Sequence, residues 1–244
     1  MNNRFITPTL LVLISLGFLS CGGGAVITHD AYPDVQVAGA MKNVMWKGEL
    51  AGIIRLEDIE NKEGLYGIGP LSYLQGELLI NDGQAYVSKV VSDTTMMVEA
   101  TFDTEAPFLV YGNVTEWQAH ELPASITNSK ALENHLDTLT KSYKRPFVFK
   151  LKGEVMSADI HIQNLPEGSK VSSPEEAHQG QTNYKLGQEQ VEIIGFFSTE
   201  HQGVFTHHDS FIHLHLITDD KTQMGHLDAV AFEAEKMKLY LPVK

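Results

Sequence analysis

The chain's hydrophobic positions change period along its length. An opening apolar run, "MNNRFITPTLLVLISLGFLS", reaches Cys21 after a short polar start with Arg4. It is too short for comfortable membrane spanning and reads as a secretory signal. In "VQVAGAMKNVMW", Val37, Met41, Val44 and Met45 fall at helical spacing before the breaker Gly48, which predicts a short amphipathic helix. From Leu50 to Val91 short apolar runs alternate with glycines, and "NDG" at Asn81 to Gly83 lies between "ELLI" and "QAYV". That is a hairpin signal, because Asp and Gly tolerate the positive φ of a type I′ turn. Glu77 then starts a hairpin strand.

"TMMVEATF" and "APFLVYGNV" add strand candidates. Leu132, Leu136 and Leu139 mark one face of a second helix, with Ser129 as its N-cap and Pro146 beyond its end. "FVFKLKGEV" alternates like a half-buried strand. Residues Pro166 to Gln190 are polar and rich in Gly, Ser, Pro and Gln, the composition of a long surface loop bordering a site. "VEIIGFF", "FIHLHLI", "HLDAVAFEA" and "KMKLYLP" complete the strands, and no internal repeat is visible. The pattern predicts a β-rich α+β fold with a few short helices.

Composition narrows the function. With 244 residues and 43% hydrophobic content, the chain can bury a sizeable core, as one large domain or two packed halves. Acidic residues outnumber basic ones 31 to 18, and the formal charge of −13 argues against nucleic acid as a partner. Cys21 is the single cysteine. Preceded by "FLS" and followed by "GGG", it resembles the lipidated cysteine of a bacterial lipoprotein signal, with Phe18 where leucine is usual; the alternative is an ordinary signal peptide with an incidental cysteine. The lipoprotein reading divides the chain into a signal at 1–21, a tether at 22–34 and a globular domain at 35–244. It places the protein in the cell envelope, in contact with membrane only through a lipid anchor. A homodimer is an admissible assembly.

The candidate chemistry lies in "HLHLITDDKTQMGH". In a strand His213 and His215 point to one face while Leu214 and Leu216 point to the other. A turn after them returns the chain antiparallel and brings His226 beside the pair. Three neutral imidazoles leave a coordination position open, as catalytic zinc sites do, whereas structural sites are usually closed by cysteines. The competing reading is chance, since the chain holds 11 histidines. His207 and His208 read as a solvated loop, and Glu77 as an exposed strand carboxylate.

Read together, "GIGPLSYLQGELLINDGQAYV", "APFLVYGNV", "VEIIGFFSTEHQGVF" and "FIHLHLITDDKTQMGHLDAV" resemble the α-acetolactate decarboxylase family, in order across most of the chain after the signal. The resemblance implies two packed, mixed β-sheet subdomains. It also implies zinc held by His213, His215 and His226, Glu77 as the catalytic carboxylate beside the metal, and a small 2-hydroxy-3-oxo acid as substrate. Acetolactate would lose CO₂ to give acetoin, with no organic cofactor. Two departures stand beside it. The family's carboxylate-binding arginine is absent from "GEVMSADIHIQNLP", where His161 or Gln163 takes its place, and the chain ends at Lys244, where the family continues into a tail with another active-site glutamate. A non-catalytic metal- or ligand-binding lipoprotein, or a structural surface β-protein, is therefore the alternative. Export also contrasts with a substrate normally made in the cytoplasm.

Overall fold

The computed structural model describes Met1 and residues 34–243. The rest of the signal segment, with Cys21, and all of the tether but residue 34 lie outside the described residues. The first half holds β1 (Gln36–Ala38), α1 (Met41–Lys47), β2 (Ile54–Arg55), β3 (Leu65–Pro70), β4 (Glu77–Asn81), β5 (Gln84–Ser92), β6 (Thr95–Ala100), β7 (Glu105–Ala106) and β8 (Leu109–Asn113). The second holds β9 (Trp117–Glu121), α2 (Ser129–Leu139), β10 (Phe147–Val155), β11 (Ser157–Ile162), α3 (Pro174–Ala177) and β12 (Thr182–Leu186). It ends with β13 (Glu189–Phe197), β14 (Ile212–Thr218), β15 (Met224–Ala231) and β16 (Met237–Pro242).

Two large sheets follow the two halves, six strands in the order β1-β8-β3-β4-β5-β6 and eight in the order β12-β11-β15-β14-β13-β10-β16-β9, with a separate two-stranded pair β2-β7 in the first half. The β-rich architecture of two packed sheets is as expected, but every pairing within them is antiparallel rather than mixed. Tight turns such as Asp82-Gly83 explain why. Both residues have positive φ, 50° and 78°, as the hairpin reading requires, and a two-residue link can join only antiparallel neighbours.

Period-two alternation decides what each face buries. Tyr66, Ile68, Leu79 and Val110 of the smaller sheet pack against Val148, Ile194, Phe196, Ile217 and Met224 of the larger one. Leu214 and Leu216 point the opposite way, into a core with Phe149, Ile193, Leu239 and the α2 residues Leu132 and Leu136. His213 and His215, in step with Ile217, are thereby committed to the layer between the sheets.

Several local expectations are corrected. Val37 is not helical; it lies in β1 and pairs with Val110, because Gly39 (φ 68°) breaks the run and the helix starts only at Met41. The first free N–H groups of α1 go to the carbonyls of Val204 and Gly203, at 2.7 and 3.0 Å. Asn128, not Ser129, caps α2, its side chain accepting from the Ala131 N–H at 2.9 Å. Leu139 stays exposed at the helix end. The supposed loop at 166–190 contains α3, capped by Ser173 ahead of Pro174, and the edge strand β12. The strand at Trp117–Glu121 carries too few apolar residues to stand out by pattern, and pairing to its neighbour makes it; Ser157–Ile162 alternates, with Ala158, Ile160 and Ile162 buried, and was missed.

Candidate metal centre and cavity

The three histidines read from the strand pattern converge. Across the hairpin, His215 pairs directly with His226, and His226 pairs on its other side with His161 of β11. Ring centroids of His213, His215 and His226 lie 4.9–5.4 Å apart, and His213 Nε2 is 3.1 Å from His226 Nδ1. One nitrogen of each lies within 4.8 Å of the others, close enough to share a metal ion. All three are buried, at 3%, 0% and 8% exposure. Gly225 lets β15 approach β11 this closely, since a Cβ there would stand 2.6 Å from the His161 carbonyl oxygen.

Burial disfavours the charged imidazoles, and neighbouring histidines add to it: His215 is pushed down to about 3, and His213 and His226 well below the usual range. They are neutral at physiological pH and offer lone pairs. Both ring nitrogens of His215 and Nδ1 of His213 lack a well-aligned hydrogen-bond partner among the described residues. Buried polar atoms left so cost roughly 1–3 kcal/mol each, a cost that coordination removes. Converging, desolvated, neutral nitrogens without a thiolate fit a borderline divalent ion with an open position.

Glu77 is not the exposed strand carboxylate of the default reading but 3% exposed, at the seam between the sheets. Gly76 delivers it there: its φ is 145°, and a Cβ would lie 2.4 Å from the Ser88 carbonyl oxygen on the paired strand. Glu77 Oε1 accepts from the Gln163 backbone N–H at 3.2 Å, and Oε2 lies 3.7 Å from His215 Nε2. Burial raises its pKa well above the usual carboxylate range; the Gln163 N–H opposes this and the Asp228 charge adds to it.

These groups line a narrow cavity of about 30 Å³ whose apolar wall includes Met41, Met45, Leu74 and Phe108. His161, Gln163, His178 and His207 complete the lining. His161 and Gln163, the two candidates for the sequence position of the expected arginine, both line the cavity, and no Lys or Arg is among the described lining residues. His161 Nδ1 meets both oxygens of Asp228 at 2.8 Å, and its ring is 4.6 Å from that of His226. His207 corrects the solvated-loop reading: it is half-buried, 5.5 Å from the His226 ring, while His208 is exposed as expected. His178 was not foreseen; it follows α3 in a polar stretch without periodicity. His161 and Gln163 share a strand face, so the alternation of "DIHIQ" could have placed them.

A two-sheet antiparallel fold carries at its seam three buried histidines able to share a metal ion and one buried glutamate beside them. The family model described as alpha-acetolactate decarboxylase matches residues 38–242, and the chain belongs to this family of decarboxylases. The alpha-acetolactate decarboxylase of Lactococcus lactis subsp. lactis is 29% identical over 194 residues, covering 78% of this chain and 73% of the relative. That of Streptococcus thermophilus is 25% identical over 171 residues, covering 68% and 67%. The fold matches crystal structures of acetolactate decarboxylase from Bacillus subtilis strain 168 (TM-score 0.67, 20% identity) and from subspecies spizizenii (0.71, 22%), each with 86% of both chains covered.

Proposed function

We propose that this protein is a zinc-dependent decarboxylase that converts 2-acetolactate, or a related 2-hydroxy-3-oxo acid, to acetoin and CO₂. The observation that carries the reading is the approach of a buried glutamic acid to three neutral, converging imidazoles in one small cavity. A zinc ion held by His213, His215 and His226 supplies Lewis acidity for the negative charge that builds on the substrate's oxygens as CO₂ leaves.

The chain's own groups supply the rest. Burial raises the pKa of Glu77 well above the usual carboxylate range, the direction a general acid requires. Its Oε1 is pinned by the Gln163 N–H, so Oε2, on the imidazole side, is the oxygen left to carry that proton to the substrate carbon. Met41, Met45, Leu74 and Phe108 exclude water, which strengthens electrostatics inside. With no Lys or Arg in the described lining, orientation of the substrate falls to histidine and glutamine side chains.

The test is acetoin formation from racemic acetolactate by the zinc-supplied protein, beside His213→Ala. Release above the spontaneous rate that vanishes in the variant supports the proposal. Folded, zinc-loaded protein that releases none points instead to the binding-only alternative, which the absence of a cationic side chain in the cavity favours.

The same proposal places the protein in the bacterial cell envelope, lipid-anchored through Cys21 and otherwise in water. Support comes from the apolar run before the only cysteine and the glycines after it. Cys21→Ser is expected to move the protein from the membrane fraction to the soluble fraction of cells labelled with a radioactive fatty acid, with loss of label. Retained label would sink the lipid anchor.

A further inference from the structure

Helix α1 borders two spaces at once. Met41 and Met45, one turn apart, line the narrow cavity beside the three histidines, and the same two side chains line a second pocket of about 480 Å³. Lys42 and Trp46, each one position further along the helix, line the second pocket alone. Pro174 at the start of α3, Gly203 and His208 complete it, while His178 and His207 border both spaces. The backbone N–H groups of Met41 and Lys42 donate to the carbonyls of Val204 and Gly203, so the helix and the segment carrying His207 and His208 are held together.

The cavity next to the histidines measures about 30 Å³. At roughly 10–15 Å³ for each water, that is room for about two water molecules. A 2-hydroxy-3-oxo acid is larger, so one whose reacting end meets the histidines has to extend past the shared side chains into the second pocket. Two of those side chains are methionines, unbranched and able to repack around what enters. Beyond them the lining is apolar, with the pyrrolidine ring of Pro174 and the indole of Trp46. Trp46 is 61% exposed, an aromatic face that the fold itself leaves uncovered. In the same pocket the exposed Lys42 supplies a cation of the kind the cavity lining lacks, which suits an anionic acid on approach.

We propose that the second pocket is a subsite for an apolar substituent of the substrate, so that the protein favours 2-hydroxy-3-oxo acids bearing an aryl group in place of one methyl group of acetolactate. The inference rests on the reading of the adjoining cavity as the substrate site.

The probes are acetoin and its two phenyl counterparts, 1-hydroxy-1-phenylpropan-2-one and 2-hydroxy-1-phenylpropan-1-one, with affinities measured by calorimetry on the zinc-supplied protein. At least one phenyl ketone is expected to bind about tenfold tighter than acetoin, the order for burying part of an aromatic ring. In Trp46→Ala, folded by circular dichroism and with unchanged metal content, that preference is expected to fall to about twofold with acetoin binding unaltered, whereas Trp46→Phe retains most of it. Equal or weaker binding of both phenyl ketones, or no binding of any probe, overturns the proposal without a variant. So does a full preference in folded Trp46→Ala. Acetoin release from acetolactate without a phenyl preference sinks the subsite and leaves the decarboxylase reading standing. A preference that depends on Trp46, in protein that releases no acetoin, supports the subsite and sinks that reading instead.

Discussion

At the scale of single residues, Glu77 has the most exacting position. Its carboxyl is buried, held by one backbone N–H and directed at an imidazole. Glu77→Gln keeps the shape and removes the transferable proton. Turnover is expected to drop about 10²- to 10⁴-fold with metal content unchanged, as checked by acetoin assay and elemental analysis. An equal loss of metal would assign Glu77 to binding instead. Strand alternation put His213 and His215 on one face and the turn after them brought His226 alongside, while the resemblance favoured a shared metal over chance. The role of Glu77 came only through the resemblance, since nothing in "QGELL" signals that Gly76 turns the chain into the seam. His178 and His207 were illegible for a different reason: both follow irregular backbone, where no period relates sequence to direction.

Elements carry their own consequences. Helix α2 is fastened to the segment before β14 by one buried carboxylate. Glu133 accepts from Ser210 Oγ and the Phe211 N–H, both at 2.8 Å, and is paired with Lys130. Burial alone would raise its pKa, yet Lys130, Phe211 and Ser210 together pull it below the usual carboxylate range. A lowered folded-state value means that this stability is present above the unfolded carboxylate's pKa and is lost as pH falls through the folded one. Glu133→Gln is therefore expected to cost about 1.5–3 kcal/mol at neutral pH, from charged hydrogen bonds to a buried group. The gap to wild type should narrow in urea unfolding below about pH 4, near and under the ordinary carboxylate range. A gap that stays constant with pH would show that Glu133 acts by shape alone. Gly76→Ala, forced to a positive φ and into the Ser88 carbonyl, is expected to lose at least about 1–3 kcal/mol in the same measurement. The elements themselves were largely readable where apolar residues alternate, as in β13 and β14. They were not at Trp117–Glu121 and Thr182–Leu186, whose strand character comes from the partner strand rather than from their own residues.

For the whole molecule, the two sheets meet through an apolar cluster and through polar groups both at the cavity and away from it, where Lys150 Nζ donates to Tyr66 Oη at 3.2 Å and Asn81 meets Glu192. An ion held there binds the folded state alone, so it stabilises the protein by mass action. Zinc at about 100 times its dissociation constant is expected to add about 2.7 kcal/mol, visible as a higher melting temperature that chelation reverses. His215→Ala should abolish the zinc-dependent rise. A rise that persists in that variant would place the ion elsewhere on the protein.

His161, His215 and His226 come from three neighbouring strands, β11, β14 and β15, in direct register. A slip of one residue in the β14 pairing would send its imidazoles into the opposite, hydrocarbon layer and bring leucines to the seam. A metal bound there would therefore report on correct assembly. An ion held by His213, His215 and His226 would be captured only after the β14–β15 hairpin has closed in its native alignment, so metal uptake during refolding should trail that pairing and serve as a clock for correct registration.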